Sequence, residues 1–77
     1  MTLKIISTTE VVYQGDADSV TLPGTQGSFT VLQNHASLIS TLVPGTIVYH
    51  NDSGEGRFDV QGGIVDVDSN VVSVCIY

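Results

Sequence analysis

The sequence has almost no positive charge. Lys4 and Arg57 are its only lysine and arginine, against eight acidic residues, and the formal net charge is −6. A nucleic-acid-binding surface has to neutralise phosphates, and two scattered cations cannot supply one. The same deficit excludes attraction to an anionic membrane surface. A partner protein with a cationic patch is the charged species that fits. Cysteine occurs once, so no internal disulfide can form; Cys75 lies in an apolar run and is expected to be inert packing. Tryptophan is absent. No apolar run approaches the ~18–20 residues needed to cross a bilayer. Met1-Thr2-Leu3-Lys4 lacks the pattern that opens a signal peptide, and the reading predicts a reducing, cytoplasm-side location. Helical periodicity is missing too: no window of about 11 residues sustains apolar positions at i, i+3, i+4 and i+7.

What is present is a modest apolar core. Hydrophobic residues make up 42% of the 77 positions, which argues against disorder. A single domain over residues 1–77 is expected, and a chain of this size buries ~60–65% of its unfolded surface. Short β-branched runs carry the apolar residues, with Gly, Pro, Asn and Asp between them. Strands are predicted near 2–7, 11–14, 16–22, 27–32, 37–43, 46–50, 56–60, 63–67 and 71–76. The fold class is all-β, a flattened barrel or β-sandwich of about eight to ten short, mainly antiparallel strands.

The turn residues make specific predictions. Leu22-Pro23-Gly24-Thr25 and Val43-Pro44-Gly45-Thr46 have the composition of type II turns, with glycine at the position that needs φ > 0. Asn51 to Gly56 reads as a longer hairpin loop. Gln61-Gly62-Gly63 suggests a bulge or a close backbone approach. Asp68-Ser69-Asn70 joins the last two strands.

Tests for chemistry fail one after another. Asp66-Val67-Asp68-Ser69-Asn70 opens like a calcium loop, but Val71 and Tyr77 stand where the pattern requires Gly and Glu. His35 and His50 have no Cys, His or carboxylate at metal-ligand spacing. Serines are plentiful, yet there is no Gly-x-Ser-x-Gly elbow and neither histidine has an orienting partner visible in the sequence. Gly54-Glu55-Gly56 lacks the rest of a phosphate-binding motif. Catalysis by this chain and a bound cofactor are therefore not expected.

Phe29-Thr30-Val31-Leu32 running into Gln33-Asn34-His35 is the least generic segment, because it places a histidine at a tight corner. Around it lie Gly15, Leu22-Pro23-Gly24, Gly27, His35-Ala36 with Leu38, Pro44-Gly45, Gly62-Gly63 and the run from Asn70 to Val74. In that order and spacing, across essentially the whole chain, these residues resemble the amino-terminal β-sandwich domain of the epsilon subunit of F-type ATP synthases. Two departures stand out. The family's Pro-Gly before the histidine is Gln33-Asn34 here, and the proline after His-Ala is Ser37. Asn34 tolerates the left-handed backbone region that the turn needs. Ser28 replaces a carboxylate found in some members.

The resemblance implies a non-catalytic part of the central stalk, linking the gamma subunit to the c-ring and helping to couple ion translocation to ATP synthesis. It implies partner contacts at Gly27, Ser28, Gln33, Asn34 and His35, with Ser7 a further gamma-facing position. It implies the cytoplasmic face of the inner (plasma) membrane as a peripheral site, with no direct insertion. Full-length members continue into a helical hairpin; ATP binding is not expected without it, and a short form is the expectation for this chain. His50 reads as a strand-end surface residue. Tyr13, Tyr49 and Tyr77 read as interface anchors or core-edge residues. The alternative function is a small β-barrel that binds a ligand or acts as an adaptor.

Overall fold

The computed structural model describes all 77 residues, as nine strands and no helix. They are β1 (Thr2–Ile6), β2 (Val11–Asp16), β3 (Ser19–Gly24), β4 (Gly27–Leu32), β5 (Leu38–Leu42), β6 (Gly45–Asn51), β7 (Gly54–Val60), β8 (Gly63–Asp68) and β9 (Val71–Ile76). The all-β class holds, and each expected strand is present. Their order in the sheet is β2-β1-β9-β8-β5-β3-β6-β7, with β4 on β3. Every pairing is antiparallel except that of β1 with β9.

Strand β3 makes the sheet curl. One of its edges is taken by β4 along its whole length. The other is divided: β6 pairs with Ser19–Thr21, and β5 meets it only where Gly24 pairs with Leu42. The two halves of the sheet are thus joined by a single residue pair and fold over one another. Alternation along each strand points every second side chain inward. Leu3, Ile5, Val65, Val67, Val72 and Val74 come from one half, and Val20, Leu22, Val31, Ile47 and Val60 from the other. Burying each is worth roughly 1.5–3 kcal/mol relative to leaving it in water. No polar or charged residue is buried, and no buried side-chain polar atom lacks a partner.

On the side away from that joint, aromatic rings close the curl. Tyr13 belongs to β2, at one end of the strand order; Tyr49 and Phe58 belong to β6 and β7, at the other. Ring centroids are 4.7 Å apart for Tyr13–Tyr49, 5.7 Å for Tyr13–Phe58 and 6.0 Å for Tyr49–Phe58. Tyr49 lies over Gly56, its partner across β6 and β7, where any β-carbon would overlap the ring.

Several sequence expectations need correction. Neither Gly24 nor Gly45 has a positive φ, so neither Pro-Gly pair is a type II turn. Gly24 pairs with Gly27 on one side and Leu42 on the other, so β3 continues through Pro23 and the turn falls on Thr25-Gln26. Gly45 pairs with Val60 and opens β6. The expected long loop before Gly56 is a two-residue turn, because Asn51 pairs with Gly54 and its Oδ1 accepts the Ser53 N–H at 2.9 Å. Cys75 is exposed rather than packed, since Val74 and Ile76 take the inward positions of β9. Tyr77 is exposed as well, so only Tyr13 and Tyr49 fit the core-edge reading. At Gly62-Gly63 the expected close approach is present: a β-carbon on Gly63 would overlap the Cys75 carbonyl oxygen.

Candidate functional site

The corner at Gln33-Asn34-His35 follows directly from β4. Leu32 is the last paired residue of that strand, and the His35 N–H donates to its carbonyl at 3.2 Å, closing the turn. Asn34 takes φ 58° within it, the left-handed conformation that its side chain tolerates better than most. The turn is held from a distant part of the chain. Ser69 and Asn70, at φ 51° and 62°, form the two-residue turn between β8 and β9, the type I′ geometry that suits a two-residue hairpin. From there Asn70 Oδ1 accepts the Asn34 N–H at 2.8 Å, and Asn70 Nδ2 donates to Gln33 Oε1 at 3.4 Å.

Gln33 is the busiest side chain in the protein. Its Oε1 accepts from the Met1 amino group at 2.6 Å, and its Nε2 donates to the Ala17 carbonyl at 3.3 Å and to Asp18 Oδ1 at 3.4 Å. Its side chain therefore ties the corner to β1 and to the β2–β3 connection. His35 is exposed. Its Nδ1 lies 2.7 Å from the Ala36 carbonyl, which places the ring proton on that nitrogen and leaves Nε2 of the neutral ring as a hydrogen-bond acceptor.

His35 shares an open groove of about 360 Å³ with Gly27, Ser28, Phe29, Thr30, Leu38 and Ser40. Half-buried Phe29 and Leu38 supply its apolar contact. The groove lies where two strand edges lack partners: β4 pairs only with β3, and β5 pairs with β3 only at Leu42. The structure therefore brings Gly27, Ser28 and His35 together, with Gln33 and Asn34 at the end of the same β4 strand. Ser7 is not among them. It lies in the turn after β1, where its N–H donates to the Glu10 carbonyl at 2.9 Å, at the opposite end of β1 from the Met1 amine that Gln33 holds.

Two arrangements escaped the sequence reading. Asn70 was visible only as a turn residue, because its contact with Asn34 depends on strand order. His50, which seemed to lack an orienting partner, has one across the β6–β7 hairpin. Its Nε2 lies 2.9 Å from Glu55 Oε1, and its Nδ1 lies 3.4 Å from Ser19 Oγ. Arg57 Nε donates to the other Glu55 oxygen at 2.7 Å. Arg57 first, with His50 adding to it, holds the Glu55 carboxyl below the usual range. The period-two register could have signalled this row, since Ser19, His50 and Glu55 are successive partners across β3, β6 and β7. The row lies exposed on a flat sheet face. No group of three His, Cys, Asp or Glu side chains is arranged to hold a metal, and no helix is long and apolar enough to cross a membrane.

Comparison with known proteins gives a consistent result. The family model described as the ATP synthase delta/epsilon chain, β-sandwich domain, matches residues 1–76. The ATP synthase epsilon chain of Leptospira borgpetersenii serovar Hardjo-bovis (strain JB197) is 34% identical over 74 residues, covering 96% of this chain and 58% of that protein. The epsilon chain of Campylobacter lari (strain RM2100) is 43% identical over 75 residues, with the same coverage of 96% and 58%. The present chain thus spans little more than half the length of these relatives. A chain in the cryo-EM structure of the Euglena gracilis mitochondrial ATP synthase (OSCP/F1/c-ring, rotational state 1) superimposes with a TM-score of 0.89 at 22% identity. That alignment covers 96% of this chain and 48% of the other, and it shows a shared fold.

Proposed function

The chain belongs to the ATP synthase delta/epsilon β-sandwich family, and from that membership we propose that it is a non-catalytic element of the central stalk of an F-type ATP synthase. The family match over residues 1–76 carries this reading. In it, the domain docks on the gamma subunit and on the c-ring and helps to couple ion translocation to ATP synthesis. A close-packed sandwich suits the task, because a dense interior deforms little under load. It acts without a cofactor, and without ATP binding by this domain. Its place is peripheral, on the cytoplasmic side of the membrane that holds the complex.

The docking surface is the groove and corner formed by Gly27, Ser28, Gln33, Asn34 and His35. His35 offers the partner an outward ring with a free acceptor nitrogen, on a turn held in place from β1 and from the β8–β9 hairpin. Gln33 contributes mainly by fixing that turn, since both ends of its amide are already engaged. Ser7 contributes a separate contact to gamma beyond the far end of β1.

The test is reconstitution. The protein should co-purify with gamma and assemble onto a gamma–c-ring complex, and His35→Ala should weaken that binding about fivefold to tenfold, as loss of one well-placed contact does. The melting temperature should stay unchanged, because the ring is exposed. A chain that never binds gamma, under conditions where an epsilon chain from a relative does, would refute the proposal.

A further inference from the structure

A second depression, of about 540 Å³, adjoins the groove at Leu38, which lines both. Its chemistry is different. The groove has no carboxylate, whereas the second depression places Asp66 and Asp68 beside Ile39. Asp68 is already engaged, accepting the Ser37 hydroxyl at 2.9 Å. Asp66 takes part in none of the protein's three ion pairs and accepts no side-chain hydrogen bond. Lys4 shares its sheet face, but the Ser73 position of β9 stands between their strands.

The surroundings of Asp66 are apolar. Ile39 is its partner across β5 and β8 and is 75% exposed. Ile64, two residues back on the same face, is 51% exposed. A carboxylate between two solvent-facing isoleucines matches the anatomy of a lysine or arginine side chain, whose aliphatic stem packs on apolar surface while its head pairs with a carboxylate. The free edge of β5 between Leu38 and Ser40 runs past both depressions, and its unpaired backbone groups suit an extended segment rather than a helix.

We propose that this edge is the seat of a partner-protein loop that carries a lysine or arginine beside an uncharged residue. The uncharged residue enters the groove at Phe29 and Leu38. The cation lies along Ile39 and Ile64 and pairs with Asp66. This deepens the docking proposal above and rests on it: Asp66 and the two isoleucines supply the charge selection that the groove lacks.

The test measures binding to isolated gamma and to isolated c-ring, each at low and high salt. The proteins compared are wild type, Asp66→Asn, Asp66→Lys and Ile39→Gln, each checked for an unchanged melting temperature. Asp66→Asn should weaken binding roughly fivefold at low salt and flatten its salt dependence, as expected for one exposed ion pair. Asp66→Lys should weaken it further, and Ile39→Gln should weaken it without changing the salt slope. If both Asp66 variants bind as wild type while His35→Ala binds weakly, the cation site is wrong and the docking surface stands. If wild type binds neither partner, the docking proposal fails first and this one falls with it.

Discussion

Asn34 and Asn70 are 36 positions apart in the chain, yet the backbone N–H of one donates to the side-chain oxygen of the other at 2.8 Å. Both have left-handed backbones, at φ 58° and 62°. Two turns that each need asparagine for conformational reasons are thereby locked together, and the corner carrying His35 inherits the rigidity of the β8–β9 hairpin.

That lock can be separated from the turn. Asn70→Gly keeps a residue that accepts positive φ but removes the amide, so it should cost only about 0.5–1.5 kcal/mol, the net worth of one hydrogen bond. Asn70→Ala loses the bond and also forces alanine into the left-handed region, which adds about 1–2 kcal/mol. Hydrogen exchange at the Asn34 amide should quicken in both variants. Unchanged exchange would mean that the corner does not depend on Asn70.

Gly63 has no such tolerance. Its φ is 153°, and a β-carbon there overlaps the Cys75 carbonyl oxygen of the neighbouring strand. Gly63→Ala should therefore destabilise by at least about 2 kcal/mol, combining backbone strain with a displaced strand. Chemical denaturation against Gly45→Ala, at a glycine without positive φ that opens its strand, gives the comparison.

The phenol of Tyr49 titrates above its ordinary value, because of hydrogen bonding with Tyr13 and then partial burial. A raised acid favours its neutral form in the fold. The stability it contributes is complete below the unfolded tyrosine value of ~10 and is lost as pH rises through the folded value. Ultraviolet titration should resolve one late tyrosine, and Tyr13→Phe should bring it back toward the ordinary range. Tyr49→Ala, by contrast, should cost about 2 kcal/mol or more through lost packing in a half-buried ring cluster.

Glu55 shifts the other way. Arg57 and, to a lesser degree, His50 keep its carboxylate charged, so its contribution is present above the unfolded carboxylate value and disappears as pH falls through the lower folded one. The pair is exposed, and the effect on melting should be slight. A carboxyl-resolved NMR titration of Arg57→Ala should show Glu55 returning upward toward the ordinary range. No movement would mean that Arg57 does not set its charge.

Sequence patterns revealed most of the strands because the alternation in stretches such as Val20-Thr21-Leu22 and Val72-Ser73-Val74 is local information. The turns were harder. Pro-Gly composition suggested positive φ at Gly24 and Gly45, but strand pairing on both sides of Gly24 kept the backbone extended there. Cys75 was misjudged because hydrophobicity in a run says nothing about phase, and its neighbours Val74 and Ile76 face inward. Of the candidate site, the Asn34 turn and the exposure of His35 could be anticipated from residue type. The support from Asn70, the bonds of Gln33 and the open edge of β5 could not, since each depends on which distant strands lie side by side.

The parallel pairing of β1 with β9 has a mechanical consequence. These are the first and last strands of the sheet, in register from Thr2 with Val71 to Ile6 with Cys75, so Met1 and Tyr77 leave the pair at opposite ends. Tension applied between those two residues acts along the strands and loads all the bridging hydrogen bonds together, instead of opening them one at a time like a zip. In force spectroscopy such a chain should give way in a single high-force event. The same shear geometry would let a partner pull on either end without peeling the sheet apart.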